Sequence, residues 1–265
     1  MAPVAPVEED KSVMSSEPQE SRAKSLIRRS LVEFVGVGIF VFNGTMQATT
    51  GIGTLGAAFA HGITIALLIA GFGHISGGHF NPAVTTGAFI GGAIHIIDVV
   101  CYIVSQLVGG FIGSLLARAC MSEDVFDKIA AGATLPDPTG LLGVSWAQAL
   151  VCEAILTHLL VHSVLVSAVD TDKNCLAPFV IGLSVFVDIL AGGAISGASM
   201  NPARSLGPAC VGAMFGVKGP LATHAYGGLW KYHYIYYVGP LVGAAAAGLL
   251  YRALWGNRDK RFLLK

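Results

Sequence analysis

Two stretches decide how this chain reads: HISGGHFNPAVT at residues 74–85 and GASMNPARSLGP at residues 197–208. Each holds one copy of the same tripeptide, Asn81-Pro82-Ala83 and Asn201-Pro202-Ala203. Asn is a strong helix N-cap, because its side-chain oxygen accepts from free backbone N–H groups, and Pro suits the first helical position, where no N–H is needed. Each tripeptide therefore predicts a helix start. The apolar segments around them, 80–92 and 200–216, are too short to cross a bilayer core of ~30 Å, which takes ~20 helical residues. They predict two half-helices.

The surrounding chain repeats itself. A shift of 120 residues carries Glu33 onto Glu153, Phe59 onto Phe179, Gly62 onto Gly182 and Ile75-Ser76-Gly77 onto Ile195-Ser196-Gly197, and it superposes the two tripeptides. A shift of 134 carries Gly109 onto Gly243 and Arg118 onto Arg252, so the second half holds an insertion near 213–230. Six apolar runs, about 27–48, 55–74, 95–120, 144–168, 175–195 and 231–255, are each long enough to span as a helix. A helix satisfies its own backbone where water is absent. Three spans and one half-helix fall in each repeat, about 27–120 and 144–256. An odd number of spans per repeat turns the second copy upside down relative to the first, and short segments at matching positions of such repeats mark a transport pathway. The expected fold class is an all-α membrane protein with six transmembrane helices plus two re-entrant half-helices in an inverted repeat.

Composition agrees with a bilayer. Of 265 residues, 54% are hydrophobic and 12% charged, about half the charged share of a soluble domain, and the mean hydropathy is +0.68. The formal net charge of zero argues against a nucleic-acid partner. Most charge sits in residues 1–30, 122–142 and 252–265. Basic clusters at both ends (Arg22, Lys24, Arg28 and Arg29; Arg258, Lys260, Arg261 and Lys265) predict that both termini are cytosolic. The acidic 122–142 loop then lies outside. Residues 1–25, rich in Pro, Ser and Glu, read as a disordered cytosolic tail, 26–256 as the channel domain and 257–265 as a second tail. The five cysteines show neither a disulfide framework nor metal-ligand spacing, and no cofactor is expected. The membrane that carries the protein is expected to be the cell membrane, with an intracellular or mitochondrial membrane as alternatives.

An inverted pair of half-helices can bring its two N-termini together at the membrane midplane. Each carries about half a positive charge, so the meeting point repels cations, hydronium included. Asn81 and Asn201 offer amide donors there. A water accepting from both is turned so that it cannot pass a proton along a chain. This predicts a passive pore for small neutral solutes. Arg204, basic and inside an apolar run, is read as a pore-lining donor and cation barrier, against an ion pair with Glu153 or Asp188. His61, also intramembrane, is a functional candidate against a purely structural histidine. Glu33 and Glu153 could relay protons, but their equivalence under the repeat favours a bracing role, each accepting from the N–H groups of a re-entrant loop. Loop bracing is likewise expected of His74 and His79. Asp188 lacks a counterpart in the first half, and two roles stay open for it, holding the Arg204 region or lining a vestibule. Asn43-Gly44-Thr45 is a glycosylation sequon at the end of the first span. The competing reading is a secondary transporter, which an inverted repeat also allows. An enzyme is not supported, since no nucleophile has an oriented base.

The repeat and the two quoted stretches resemble the aquaporin family over residues 27–256. AHG (60–62), SQLVGGFIGSLLA (105–117) and VDILAGGAISGASMNPAR (187–204) are most similar to its aquaporin-8 group. The resemblance implies homotetramers in the lipid bilayer with one pore per subunit, and a selectivity filter at His61, Ile189, Ala198 and Arg204. Water-selective members resemble one another in having Phe and His at the first two of these positions. Here His and Ile stand there, which implies a wider filter of different polarity that takes ammonia, hydrogen peroxide and urea beside water. Glycerol-conducting members usually carry Asp where this chain has Ser205.

Overall fold

The computed structural model describes residues 21–137, 142–171, 174–218 and 228–256. Most of both expected tails (1–20 and 257–265), residues 172–173 and the middle of the insertion (219–227) lie outside the described residues. The first half comprises α1 (Arg22–Gln47), α2 (Thr54–Ser76), α3 (Pro82–Gly91) and α4 (Ile96–Ala119). A short helix, α5 (Glu123–Lys128), lies in the connection. The second half comprises α6 (Trp146–Val164, running on through a wider turn over Leu165–Val169), α7 (Ala177–Gly192), α8 (Pro202–Met214) and α9 (Ile235–Leu250). Helices α2 and α4, α6 through Val169, α7 with the turn before it (Asn174–Gly192) and α9 with the turn after it (Ile235–Leu254) are long and apolar enough to cross a membrane. Helix α1, with 26 residues, is about 39 Å long, and its basic residues gather in the first turns.

The run expected at 231–255 becomes a helix only at Ile235. Before it, Trp230 and His233 pack ring against ring, and the chain winds in turns through Tyr234.

Packing follows the repeat. Helix α1 lies along α4, and α6 lies along α9; α2 meets α7 across the centre. Each half-helix also docks on the last span of the other half, α3 on α9 and α8 on α4, so neither repeat closes without the other. Glycine makes these crossings close. A Cβ on Gly109 would land on the Phe34 carbonyl oxygen, and one on Gly243 would land on that of Ala154. These are repeat-related pairs. At the centre, Cβ atoms on Gly62 and Gly182 would each come within 2.8 Å of the other's carbonyl oxygen. Helices that lack a hydrophobic drive in lipid gain from such backbone approach.

The outside is apolar as well as the core, and a small set of polar groups is buried. Phe59, Ile63, Leu67, Phe179 and Leu183 are exposed on the outside, whereas Glu33, Glu153, Gln106, Asn81 and Asn201 are buried inside. Near one end Arg29 donates to Asp98 at 2.8 Å.

Gly243→Ala is expected to lower the thermal unfolding midpoint in detergent by several degrees, because the methyl meets backbone that cannot yield, a cost of about 1–3 kcal/mol. Gly71→Ala, with open space around the new methyl, is expected to leave it unchanged or raised. Equal midpoints for the two variants would remove close backbone contact as the reason for glycine at 243.

Candidate functional site

Asn81 and Asn201 cap α3 and α8, and Pro82 and Pro202 open the helices. The Asn81 side-chain oxygen accepts from the Ala83 N–H at 2.8 Å. That of Asn201 accepts from Ala203 at 3.0 Å and Arg204 at 3.2 Å. The amide nitrogens cross over. Asn81 Nδ2 donates to the Met200 carbonyl at 2.8 Å, and Asn201 Nδ2 donates to the Phe80 carbonyl at 2.9 Å. Each amide thus ties its own helix start to the residue preceding the other, so the two N-termini meet. An amide carries two N–H groups, and one on each Asn remains beyond this crossing bond.

The loops entering the half-helices carry residues in the left-handed region, Phe80 at φ 47°, Ala198 at φ 44° and Met200 at φ 55°. Two buried carboxylates hold them there. Glu33 accepts from Ser76 Oγ (2.6 Å), His79 N (3.0 Å), Phe80 N (2.6 Å) and Gln106 Nε2 (2.8 Å). Glu153 accepts from Ser196 Oγ (2.7 Å), Ser199 N (2.8 Å) and Met200 N (2.7 Å). The Tyr102 hydroxyl donates to the Ser76 carbonyl at 2.7 Å, and Tyr236 donates to that of Ser196 at 2.6 Å. These tyrosines are related by the 134-residue shift. The sequence alone points to the two glutamates; Ser76, Ser196, Tyr102, Tyr236 and Gln106 join them only in the folded protein. The doubled Ile-Ser-Gly marks the two serines, and the 134-residue shift pairs the two tyrosines.

His74 stands apart from this network. Its side chain is exposed on the last turn of α2, because the donors of the re-entrant loop face α1 and not the helix end. His79 contributes its backbone N–H to Glu33, and its Nδ1 lies 3.1 Å from Thr85 Oγ1.

A narrow cavity runs past the Asn pair. The two loops give it polar groups, His79, Asn81, Ser199 and Asn201, and also contribute Gly78 and the apolar Ala198; the spans α1, α2, α6 and α7 add an apolar side that includes Phe40, Ile65, Leu160, Val185 and Ile189. His61, Ile189 and Ala198 all border it. Arg204 lies on the first turn of α8, half-buried, and its Nη1 donates to the Gly132 carbonyl at 2.9 Å. Its head is therefore held by a loop carbonyl, while the oxygens of Glu153 go to loop donors. Thr134, from the same connecting loop, bonds Ser205 Oγ at 2.6 Å, and Ser205 bonds Ser199 in turn. Asp188 is buried on α7 with Oδ2 unpartnered among the described residues. Asn43 lies within α1, and its Nδ2 donates to Thr64 at 3.3 Å.

Comparison with known proteins agrees with this architecture. The family described as "Major intrinsic protein" matches residues 20–251. The chain is similar to Aquaporin-8 of Mus musculus, with 42% identity over 243 residues, 90% of this chain and 86% of that protein. It is also similar to Aquaporin TIP1-2 of Musa acuminata, with 38% identity over 255 residues, 91% of each. Among solved structures, the aquaglyceroporin from Plasmodium falciparum shares the fold, with a TM-score of 0.72 at 22% identity over 86% of this chain and 96% of that one. The chain belongs to the major intrinsic protein family. It is an integral multi-pass membrane protein and a passive channel for water and small solutes, not an enzyme.

Glu153→Ala is expected to abolish most folded protein, since it strands two backbone donors and a hydroxyl, each costing about 1–3 kcal/mol in a buried site. Tyr236→Phe removes a single bond worth about 1 kcal/mol and is expected to fold with a lowered midpoint. Thermal unfolding of purified protein checks the order; an unperturbed Glu153→Ala protein would sink the brace.

Proposed function

We propose that this family member conducts ammonia and hydrogen peroxide as well as water, with urea as a further solute, and excludes protons and ions. The observation that carries the reading is the pair of helix starts tied by reciprocal Asn amides beside one cavity that is polar on one side and apolar on the other. A water passing the remaining N–H groups of Asn81 and Asn201 accepts from both. Its own hydrogens then point away along the file, and the proton relay breaks at that molecule. The two N-termini, each worth about half a positive charge, add an electrostatic barrier to cations. Pro82 and Pro202 open the two half-helices, and Ala83 and Ala203 are buried in their first turns.

In this reading His61, Ile189, Ala198 and Arg204 form the selectivity filter. Ile189 and Ala198 supply an apolar, uncrowded wall, and Arg204 supplies donors and a positive charge. A filter of this composition admits small neutral molecules larger than water. The carboxylates Glu33 and Glu153 brace the loops, and with their oxygens bonded to loop donors they are poorly placed to couple an ion gradient as a transporter would. The basic ends support cytosolic termini. The chain is proposed to work as a homotetramer with one pore per subunit, in the cell membrane or an intracellular one.

Stopped-flow measurements on proteoliposomes test the reading. Wild type is expected to pass water, ammonia and hydrogen peroxide without saturation and without dependence on an ion gradient; saturable, gradient-driven flux would favour a carrier. His61→Phe with Ile189→His is expected to cut ammonia and peroxide flux relative to water, and an unchanged ratio would refute the filter. Arg204→Val is expected to raise leak of cations or larger solutes, whereas the same ion leak and size cut-off as wild type would refute its role as a barrier.

A further inference from the structure

Gly44 lies inside α1, in ordinary helical backbone and buried. Glycine there costs about 1 kcal/mol relative to alanine, so the missing side chain needs a reason. The neighbour supplies it. A Cβ on Gly44 would fall inside the contact radius of His61 Nε2, and would lie 2.7 Å from Cε1 and 2.9 Å from Cδ2. The imidazole therefore rests on the bare Cα of Gly44. Phe40, one turn earlier on the same face of α1, meets the ring edge-on at 5.2 Å and 76°. The far side of the ring is tethered as well, with Nδ1 2.8 Å from the Ala57 carbonyl. A carbonyl only accepts, so Nδ1 carries the proton and Nε2 is a bare lone pair, buried and unpartnered among the described residues.

We infer that Gly44 sets the width of the pore at His61, by forming the notch in α1 into which the imidazole withdraws. This inference rests on the proposed filter. With Ala57 and Phe40 fixing two sides of the ring, the free side is the cavity bordered by Ile189 and Ala198. Any side chain at position 44 drives the ring toward that space. The displacement needed to restore ordinary contact is about 1 Å, and it narrows the passage at the level of His61. The repeat supports the pairing. Positions 120 residues on from Gly44 and His61 are Val164 and Ile181, which both border the same cavity. There two branched aliphatic side chains share the space that a ring and an empty position divide in the first half.

The test is Gly44→Ala in full-length protein reconstituted in proteoliposomes, with water, hydrogen peroxide and urea as probes. The expected result is a fall of about tenfold in peroxide and urea permeability relative to water, with recovery in the double variant Gly44→Ala, His61→Ala. If Gly44→Ala fails to assemble, assembly of the double variant supports the overlap between the two residues, and failure of both overturns it. A wild-type ratio of peroxide to water in well-assembled Gly44→Ala protein also overturns the inference, while leaving the pore reading intact. Wild-type protein that passes neither water nor peroxide overturns the pore reading, and this inference with it.

Discussion

Glu33 and Glu153 each gather the free donors of one re-entrant loop onto a single buried carboxylate. In a membrane these donors have no water to turn to, and an unsatisfied backbone group costs several kcal/mol. Once the carboxylate takes them, the loop can hold Phe80 and Met200 in the left-handed region. That bend leaves their carbonyls accepting from the opposite Asn amides. The crossing bonds then join the two half-helix starts, and the cavity passes the place where they meet.

The two halves match closely at the two carboxylates and diverge beside the connecting loop. Ser76 and Ser196, and Tyr102 and Tyr236, do the same work in each half. Gln106 donates to both Glu33 and Thr85, whereas the corresponding position of the second half is Pro240, which has no donor. There the matching Ser205 is bonded to Thr134 of the connecting loop. Arg204 corresponds to Val84 in the first half and is tied to Gly132 of that same loop. The connecting loop thus breaks the symmetry on one side of the membrane, where the second half-helix carries its charge.

Close backbone contact holds the helices against one another. Gly109 and Gly243 admit the carbonyls of Phe34 and Ala154, and Gly62 and Gly182 admit each other's. Apolar side chains both face outward, as Phe59 and Leu67 do, and fill the core, as Leu160 and Val185 do, and the buried polar groups gather at the two re-entrant loops.

Much of this was legible in the residues alone. The two Asn-Pro-Ala, spaced as the two glutamates are, determined the inverted repeat, the half-helices and the identity of the bracing carboxylates, because caps and periodicity are local signals and a repeat doubles each of them. His74 misled, since adjacency in sequence to a loop says nothing about which way a side chain leaves a helix end. The tyrosine and serine partners of the brace, the crossing Asn bonds, the Gly132 carbonyl on Arg204 and the fit of His61 against Gly44 join residues far apart in the chain. Only the packed helices decide such contacts, because they depend on the distance and rotation between elements, which no single stretch of sequence encodes.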